Sequence, residues 1–246
     1  MTALTIVLPC YQEADRLPTA LERYLAHFSA GVRGVELLVV DDGSTDQTLA
    51  VAEAIAARDR RVRVLRCPTH RGKGFAVRTG MLAGRGDRLV FTDADASYGP
   101  DQVERVLRAL DGAPVAIGRR GDLETSGPVL RRLASRVFNQ AMRRLLGLPF
   151  RDTQCGLKGF RRDAARELFG RTRVDGFAFD AEVLFLARRL GLTVAEVPVS
   201  AELREGSKVR LAVDALRMLR DTWRVRRAAA GGLYDRAVAP VRGPAI

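Results

Sequence analysis

Strand-length apolar runs alternate with amphipathic segments through the first half of the chain, and this alternation limits the available folds more than any other feature. LTIVLP (4–9), VELLVV (35–40), VRVLR (62–66), RLVFT (88–92) and PVAIG (114–118) have the length and composition of buried strands. Between them, Leu17, Leu21, Leu25 and Phe28 share one helical face, and Leu49, Ala52, Ile55 and Ala56 share another. Such an order predicts an α/β fold: a mostly parallel sheet with helices on both faces. Ligands of these sheets bind beyond the carboxyl ends of the strands, where strand order reverses.

Polar residues gather at those ends. The first run leads into Pro9-Cys10-Tyr11-Gln12-Glu13, the second into DDGSTDQT (41–48), the fourth into TDADAS (92–97). Ser44 and Gln47 stand at capping-box spacing, which predicts that they open the next helix. Asp93 and Asp95, one residue apart at a strand end, suit a hard divalent cation such as Mg²⁺ or Mn²⁺, which takes one or two carboxylates and completes its shell with diphosphate oxygens. In HRGKGFAVRTG (70–80), glycines flank Lys73 before a helical pattern. Gly-rich helix starts bind phosphate through backbone N–H groups, but the P-loop spacing is absent. Lys73 therefore either contacts phosphate or only caps the crevice.

The chain has 246 residues, enough for one large domain, and 41 Lys and Arg against 29 Asp and Glu, a formal net charge of +12. A basic balance suits nucleic acid, an anionic membrane surface or phosphorylated small molecules. No zinc-finger or RNP pattern is present, and strand-end carboxylates do not suit nucleic acid, so no nucleic-acid partner is expected. Cys10, Cys67 and Cys155 are odd in number and widely spaced, which argues against a disulfide framework and for a reducing, cytoplasmic compartment. MTALTIVLPCYQ lacks a basic leader region and reads as a core strand rather than a signal peptide. No apolar run approaches the ~20 residues a spanning helix needs. Residues 1–227 are expected to form one domain, with 228–246 a flexible, Gly/Ala/Pro-rich tail.

Taken together, VLPCYQEAD (7–15), VVDDGSTDQT (39–48), HRGKGFAVRTG and FTDADAS (91–97) resemble the family 2 glycosyltransferases of GT-A, Rossmann-like fold, over about residues 4–225. IGRR (117–120), RDTQCGLKGF (151–160), FAFDAEVLFLARRLG (177–191), EVPV (196–199) and EGSK (205–208) are similar to the polyprenyl-phosphate branch, the dolichyl-phosphate glucosyltransferase and mannose synthase type. The resemblance implies that Pro9, Tyr11 and Glu13 line the nucleotide pocket and that Asp41 hydrogen-bonds the base. It places Asp93 at the ribose or metal and Asp95 on the metal. Family members often carry Gln two residues after the second Asp; Ser97 stands there, so a third protein ligand is not implied. Arg120, Arg131 and Ser135 match positions that bind the acceptor phosphate, and Lys208 one that closes over the phosphates. Asp152 matches an acidic residue near the reacting centre, as base or as orienter. Glu182 reads as a supporting acid that holds Arg or Lys side chains.

The implied reaction is inverting transfer of a hexose from a nucleotide-diphosphate sugar donor, UDP-glucose before GDP-mannose, to a polyprenyl-phosphate lipid acceptor. Residues 129–148 and 213–227 pair an apolar stripe with many arginines, and the second includes Trp223. Each is either a helix packed on the sheet with a solvated basic face or an interfacial helix with its apolar face in lipid. The second reading expects a peripheral enzyme on the cytoplasmic face of a membrane, and leaves room for a membrane-protein partner. Two alternatives remain open: a family 2 transferase with a soluble hydroxyl acceptor, and a non-catalytic basic subunit that binds the membrane surface.

Overall fold

All five apolar runs become strands of one sheet. In this computed structural model, which describes residues 3–28, 34–121, 139–202 and 211–235, they are β1 (Leu4–Cys10), β2 (Val35–Asp41), β3 (Val62–Arg66), β4 (Arg88–Phe91) and β5 (Val115–Arg120). Two further strands, β6 (Lys158–Arg161) and β7 (Val194–Val199), complete the order β3-β2-β1-β4-β6-β5-β7. Neighbouring strands are parallel except at β6, which runs antiparallel to both β4 and β5. The order reverses between β1 and β4, and the crevice beyond their carboxyl ends is where such sheets take ligands. β7 forms the far edge of the sheet, a position that tolerates Pro198 within a strand.

Alternation along the strands splits the core into two layers. Ile6, Leu8, Leu37, Val39 and Val90 face α1 (Leu17–His27), α2 (Thr48–Arg58) and α4 (Pro100–Ala109), meeting Leu17, Leu21, Tyr24, Ala52, Val103 and Val106. Val7, Leu38, Val40, Leu89 and Phe91 face the opposite layer. That layer comprises α3 (Lys73–Ala83), the helical residues 139–146 (α5), α6 (Arg162–Arg171), α7 (Phe179–Arg189) and α8 (Leu211–Ala230). Phe91 lies against Phe160, Phe169 and Phe179 there. Each fully buried Phe contributes about 1.5–3 kcal/mol relative to exposure.

Three local expectations change. Ser44 and Gln47 form no capping box, and Gln47 makes no side-chain cap hydrogen bond. Instead Asp46 Oδ1 accepts the Thr48 N–H at 3.0 Å, while Ser44 Oγ is drawn across the strand ends to the Gln12 N–H at 3.0 Å. A tertiary donor outcompetes the local one. Second, α8 continues past 227 to Ala230, and Tyr234 beyond it is buried, so residues 228–235 pack on the body instead of starting a free tail. Third, among the described residues Glu182 holds no Arg or Lys side chain. It is fully buried and accepts the N–H groups of Arg173 and Val174 and the Tyr234 hydroxyl at 2.5 Å. Burial raises the Glu182 pKa, and these donors counter that by favouring the carboxylate. Tyr234→Phe is therefore expected to cost about 1–3 kcal/mol of stability, because a buried carboxylate loses a donor. Urea unfolding measures this, and an unchanged midpoint would show that the hydroxyl contributes nothing.

Candidate active site

Three strand ends and the start of α3 converge at the β1/β4 reversal. In register, Cys10 lies beside Asp41, so the segment after β1 adjoins the end of β2. Pro9 is half-buried within β1; Tyr11 follows it, its ring stacked on His70 at 3.8 Å between centroids. Glu13 is drawn to Arg16, whose Nε lies 2.7 Å from its Oε2. Asp41 is buried: its Oδ1 accepts the Ser44 N–H at 3.2 Å, while its Oδ2 has no hydrogen-bond partner among the described residues. Such an orphaned acceptor at a ligand crevice suits an N–H of a bound molecule.

Asp42, which the sequence reading left without a role, anchors the neighbouring loop. Its carboxylate accepts the N–H groups of Arg71 at 3.1 Å and Gly72 at 2.7 Å, and His70 Nδ1 lies 2.8 Å away. Burial pushes the Asp42 pKa up, against those donors. Two N–H groups of the glycine-rich helix start are thus already bonded to protein. What the start of α3 offers the crevice is Lys73, whose Nζ sits 2.5 Å from Asp93 Oδ1. Burial alone would lower the Lys73 pKa; the charges of Asp93 and Asp180 more than offset it, and the net shift is upward.

β4 ends in a tight turn. Ala96 adopts φ +54°, and Asp95 Oδ1 accepts both the Ser97 N–H at 2.9 Å and the Ser97 hydroxyl at 2.5 Å. Ser97 thus orients Asp95. Glycine at 156 is a spatial requirement, since a Cβ there would stand 2.2 Å from Asp93 Oδ2. Among the described residues, no group of three or more His, Cys, Asp or Glu could hold a metal ion. Asp93 and Asp95 remain the candidate donors after β4, and two carboxylates suit a divalent cation that completes its shell with diphosphate oxygens.

The segment 152–158 runs along the other side of the crevice. Asp152, buried, forms a bidentate pair with Arg120 at the end of β5: Nε to Oδ2 2.7 Å, Nη2 to Oδ1 3.0 Å. Burial would raise the Asp152 pKa, but the Arg120 hydrogen bonds and charge prevail and hold it below the ordinary carboxyl value. The same pairing raises the pKa of Arg120, against the effect of burial. Farther along, Lys158 is fully buried on β6, donating to the Cys155 carbonyl at 2.6 Å and to Asp180 at 2.5 Å. Neither Lys158 nor Asp180 was singled out from sequence; the one available signal was a lysine inside the apolar run GLKGF. Arg131, Ser135 and Lys208 lie outside the described residues, as do the start of the 129–148 segment and Gly206 and Ser207 of the EGSK motif. All three cysteines are buried, and burial pushes the Cys67 thiol up to about 11.

The family model described as Glycosyl transferase family 2 matches residues 5–169. The chain belongs to glycosyl transferase family 2. Over 242 residues this transferase is 39% identical to the dolichyl-phosphate beta-glucosyltransferase of Drosophila melanogaster, spanning 90% of this chain and 74% of that one. It is 32% identical to the protein of that name from Saccharomyces cerevisiae, over 94% of this chain and 76% of the relative. The human protein of that name is 35% identical, over 84% of this chain and 69% of its own. Among solved structures, mannosyl-3-phosphoglycerate synthase from Rubrobacter xylanophilus superposes with a TM-score of 0.71 at 22% identity, covering 97% of this chain and 78% of that one. Glucosyl-3-phosphoglycerate synthase from Mycobacterium tuberculosis, in complex with Mn²⁺, uridine diphosphate and glucosyl-3-phosphoglycerate, gives a TM-score of 0.70 at 22% identity, over 91% of this chain and 80% of that one. The sheet of this family 2 transferase is thus the GT-A sheet expected from the sequence.

Proposed function

We propose that the chain transfers glucose from UDP-glucose to a polyprenyl phosphate of the dolichyl type, inverting the anomeric centre, at a membrane surface. The observation that carries this reading is the shared name of the relatives, dolichyl-phosphate beta-glucosyltransferase, at 32–39% identity over most of the chain. The site supports it. Asp41, with its orphaned Oδ2, accepts from the base; Pro9, Tyr11 and Glu13 line the nucleotide pocket. Asp93 and Asp95 hold Mg²⁺ or Mn²⁺, which when bound supplies positive charge to the leaving diphosphate. Lys73 adds positive charge to the crevice. Arg120, fixed by Asp152, presents its guanidinium to the acceptor phosphate, an anion that such forks suit. Arg131 and Ser135 join it there, and Lys208 closes over the phosphates. A phosphate oxygen is ionised at neutral pH and needs no strong base, so Asp152, paired and acidic, serves as orienter.

Docking rests on α8. Among the described residues no helix is long and apolar enough to cross a membrane. α8 buries Thr222, Val225 and Ala229 and turns Arg220, Trp223, Arg224, Arg226 and Arg227 outward, Trp223 being 54% exposed. On α5, Met142 and Leu146 are buried and Arg144 is exposed. The described parts of both apolar stripes therefore pack on the core, and their outward faces are basic, with one indole. We assign these faces to an anionic membrane, each arginine worth up to about 1 kcal/mol there.

The test is transfer from radiolabelled UDP-glucose to a short polyprenyl phosphate with Mn²⁺ or Mg²⁺, beside GDP-mannose and a soluble hydroxyl acceptor. A β-linked glucosyl lipid is expected; glucosylation of the soluble acceptor alone would overturn the assignment. In parallel, anionic vesicles should sediment the protein at low salt, and Trp223→Ala with Arg220, Arg224 and Arg227 changed to Gln should release it. Equal sedimentation of wild type and variant would remove α8 from the docking face.

A further inference from the structure

Two ion pairs lie in series beneath the end of β4. Lys73 is on Asp93, and Asp180, in the first turn of α7, is on Lys158, each at 2.5 Å. The first turns of α3 and α7 are in contact: a Cβ added to Gly74 would stand 2.7 Å from Phe179 Cβ and 2.5 Å from the Val174 carbonyl. Lys73 and Asp180 are the chain neighbours of those touching residues. After Asp93, Asp180 is the carboxylate that acts most strongly on Lys73.

Stability does not account for the deeper pair, since replacing a buried ion pair by apolar residues of similar volume is often neutral or stabilising. The lysines of the two pairs differ in freedom. Lys158 is fully buried and bonded to both Asp180 and the Cys155 carbonyl. The Lys73 side chain is partly exposed and has a flexible four-carbon stem. It also sits on the carboxylate assigned above to the divalent cation, so the ammonium and the metal compete for Asp93.

We propose that Asp180 is a positioning residue that receives the Lys73 ammonium when a divalent cation takes its place on Asp93, with Lys158 fixing Asp180 for that exchange. Asp93 passes from ammonium to metal, and Asp180 from one lysine to two. Without Asp180, the displaced ammonium loses the carboxylate at the start of α7 and stays on Asp93, so the metal binds less well. The inference rests on the divalent-cation reading of Asp93 and Asp95.

Mn²⁺ binding at fixed saturating UDP, read from the loss of the free Mn²⁺ electron-spin-resonance signal, tests it without turnover. Asp180→Asn is expected to weaken Mn²⁺ at least about tenfold, as removal of groups that support metal ligands does. UDP affinity in EDTA, measured by calorimetry, should stay within about twofold of wild type, because the nucleotide contacts remain. In a Lys73→Met background, Asp180→Asn should no longer weaken Mn²⁺, since the competitor is gone. An Asp180→Asn effect that persists without Lys73 overturns the exchange and leaves Asp180 a structural residue. Should Asp180→Asn fold poorly with Lys158 unpaired, Lys158→Met/Asp180→Asn removes the orphan charge and must show the same weakening. Wild-type protein that binds no Mn²⁺ overturns the cation reading itself, whereas Mn²⁺ binding unchanged by Asp180→Asn overturns only the exchange.

Discussion

Asp95→Asn is expected to lower glucosyl transfer by about two to three orders of magnitude while leaving the fold unchanged. Asparagine keeps an oxygen for the Ser97 N–H and hydroxyl, so the turn after β4, with Ala96 at φ +54°, retains its two hydrogen bonds. What disappears is one of the two negative charges assigned above to a cation beside the leaving diphosphate. Excess EDTA should reproduce the loss in the wild-type enzyme, and Mn²⁺ or Mg²⁺ should reverse it. Gly156→Ala should approach the same phenotype from another direction, because its Cβ would crowd Asp93 Oδ2. Full transfer in EDTA would eliminate the metal role of both carboxylates.

Arg120→Met should reduce kcat/KM for the acceptor by about 10²–10³, with a smaller change in KM for the donor. The Arg120 guanidinium, fixed by its bidentate pair with Asp152 at the end of β5, is the described cation proposed above for the acceptor. Asp152→Asn should reproduce part of the loss by freeing that guanidinium. It should leave the acid limb of the pH profile in place, at the acceptor's second phosphate ionisation near about 6. The sign follows from the structure. Asp152 is held below its ordinary value, so it is ionised throughout the working range. The stability it contributes is fully present above the ordinary carboxyl pKa and fades only as pH falls through the lower folded value. Loss of the acid limb in Asp152→Asn would instead make Asp152 the general base.

Much of this site was legible before any coordinates. Asp41, Asp93 and Asp95 were readable because strand periodicity stops where the acids begin, and carboxyl ends of parallel strands share one edge of the sheet. Lys73 was readable as a cation at a glycine-flanked helix start. Its partner was not, because the Asp93 contact joins residues far apart in sequence. Glu182 was assigned the wrong kind of partner for the same reason: its donors are backbone N–H groups and a tyrosine 52 positions away. β6 and β7 escaped notice since KGFR is four residues long and contains two cations, while VAEVPV contains Glu and Pro. Neither holds an unbroken apolar run like the LLVV of β2.

The sequence by itself determined the class of sheet, the edge on which ligands sit and the acids that reach it, because side-chain period and strand length are local properties of the chain. Only the tertiary structure decided how charges pair: Lys73 with Asp93, Arg120 with Asp152, Lys158 with Asp180. It also decided that Asp42 satisfies the start of the Lys73 loop and that α8 buries Thr222, Val225 and Ala229 while turning Trp223 outward. Ion pairing depends on distances between segments and on how deeply each charge is buried. Those quantities come from packing, and no local pattern encodes them.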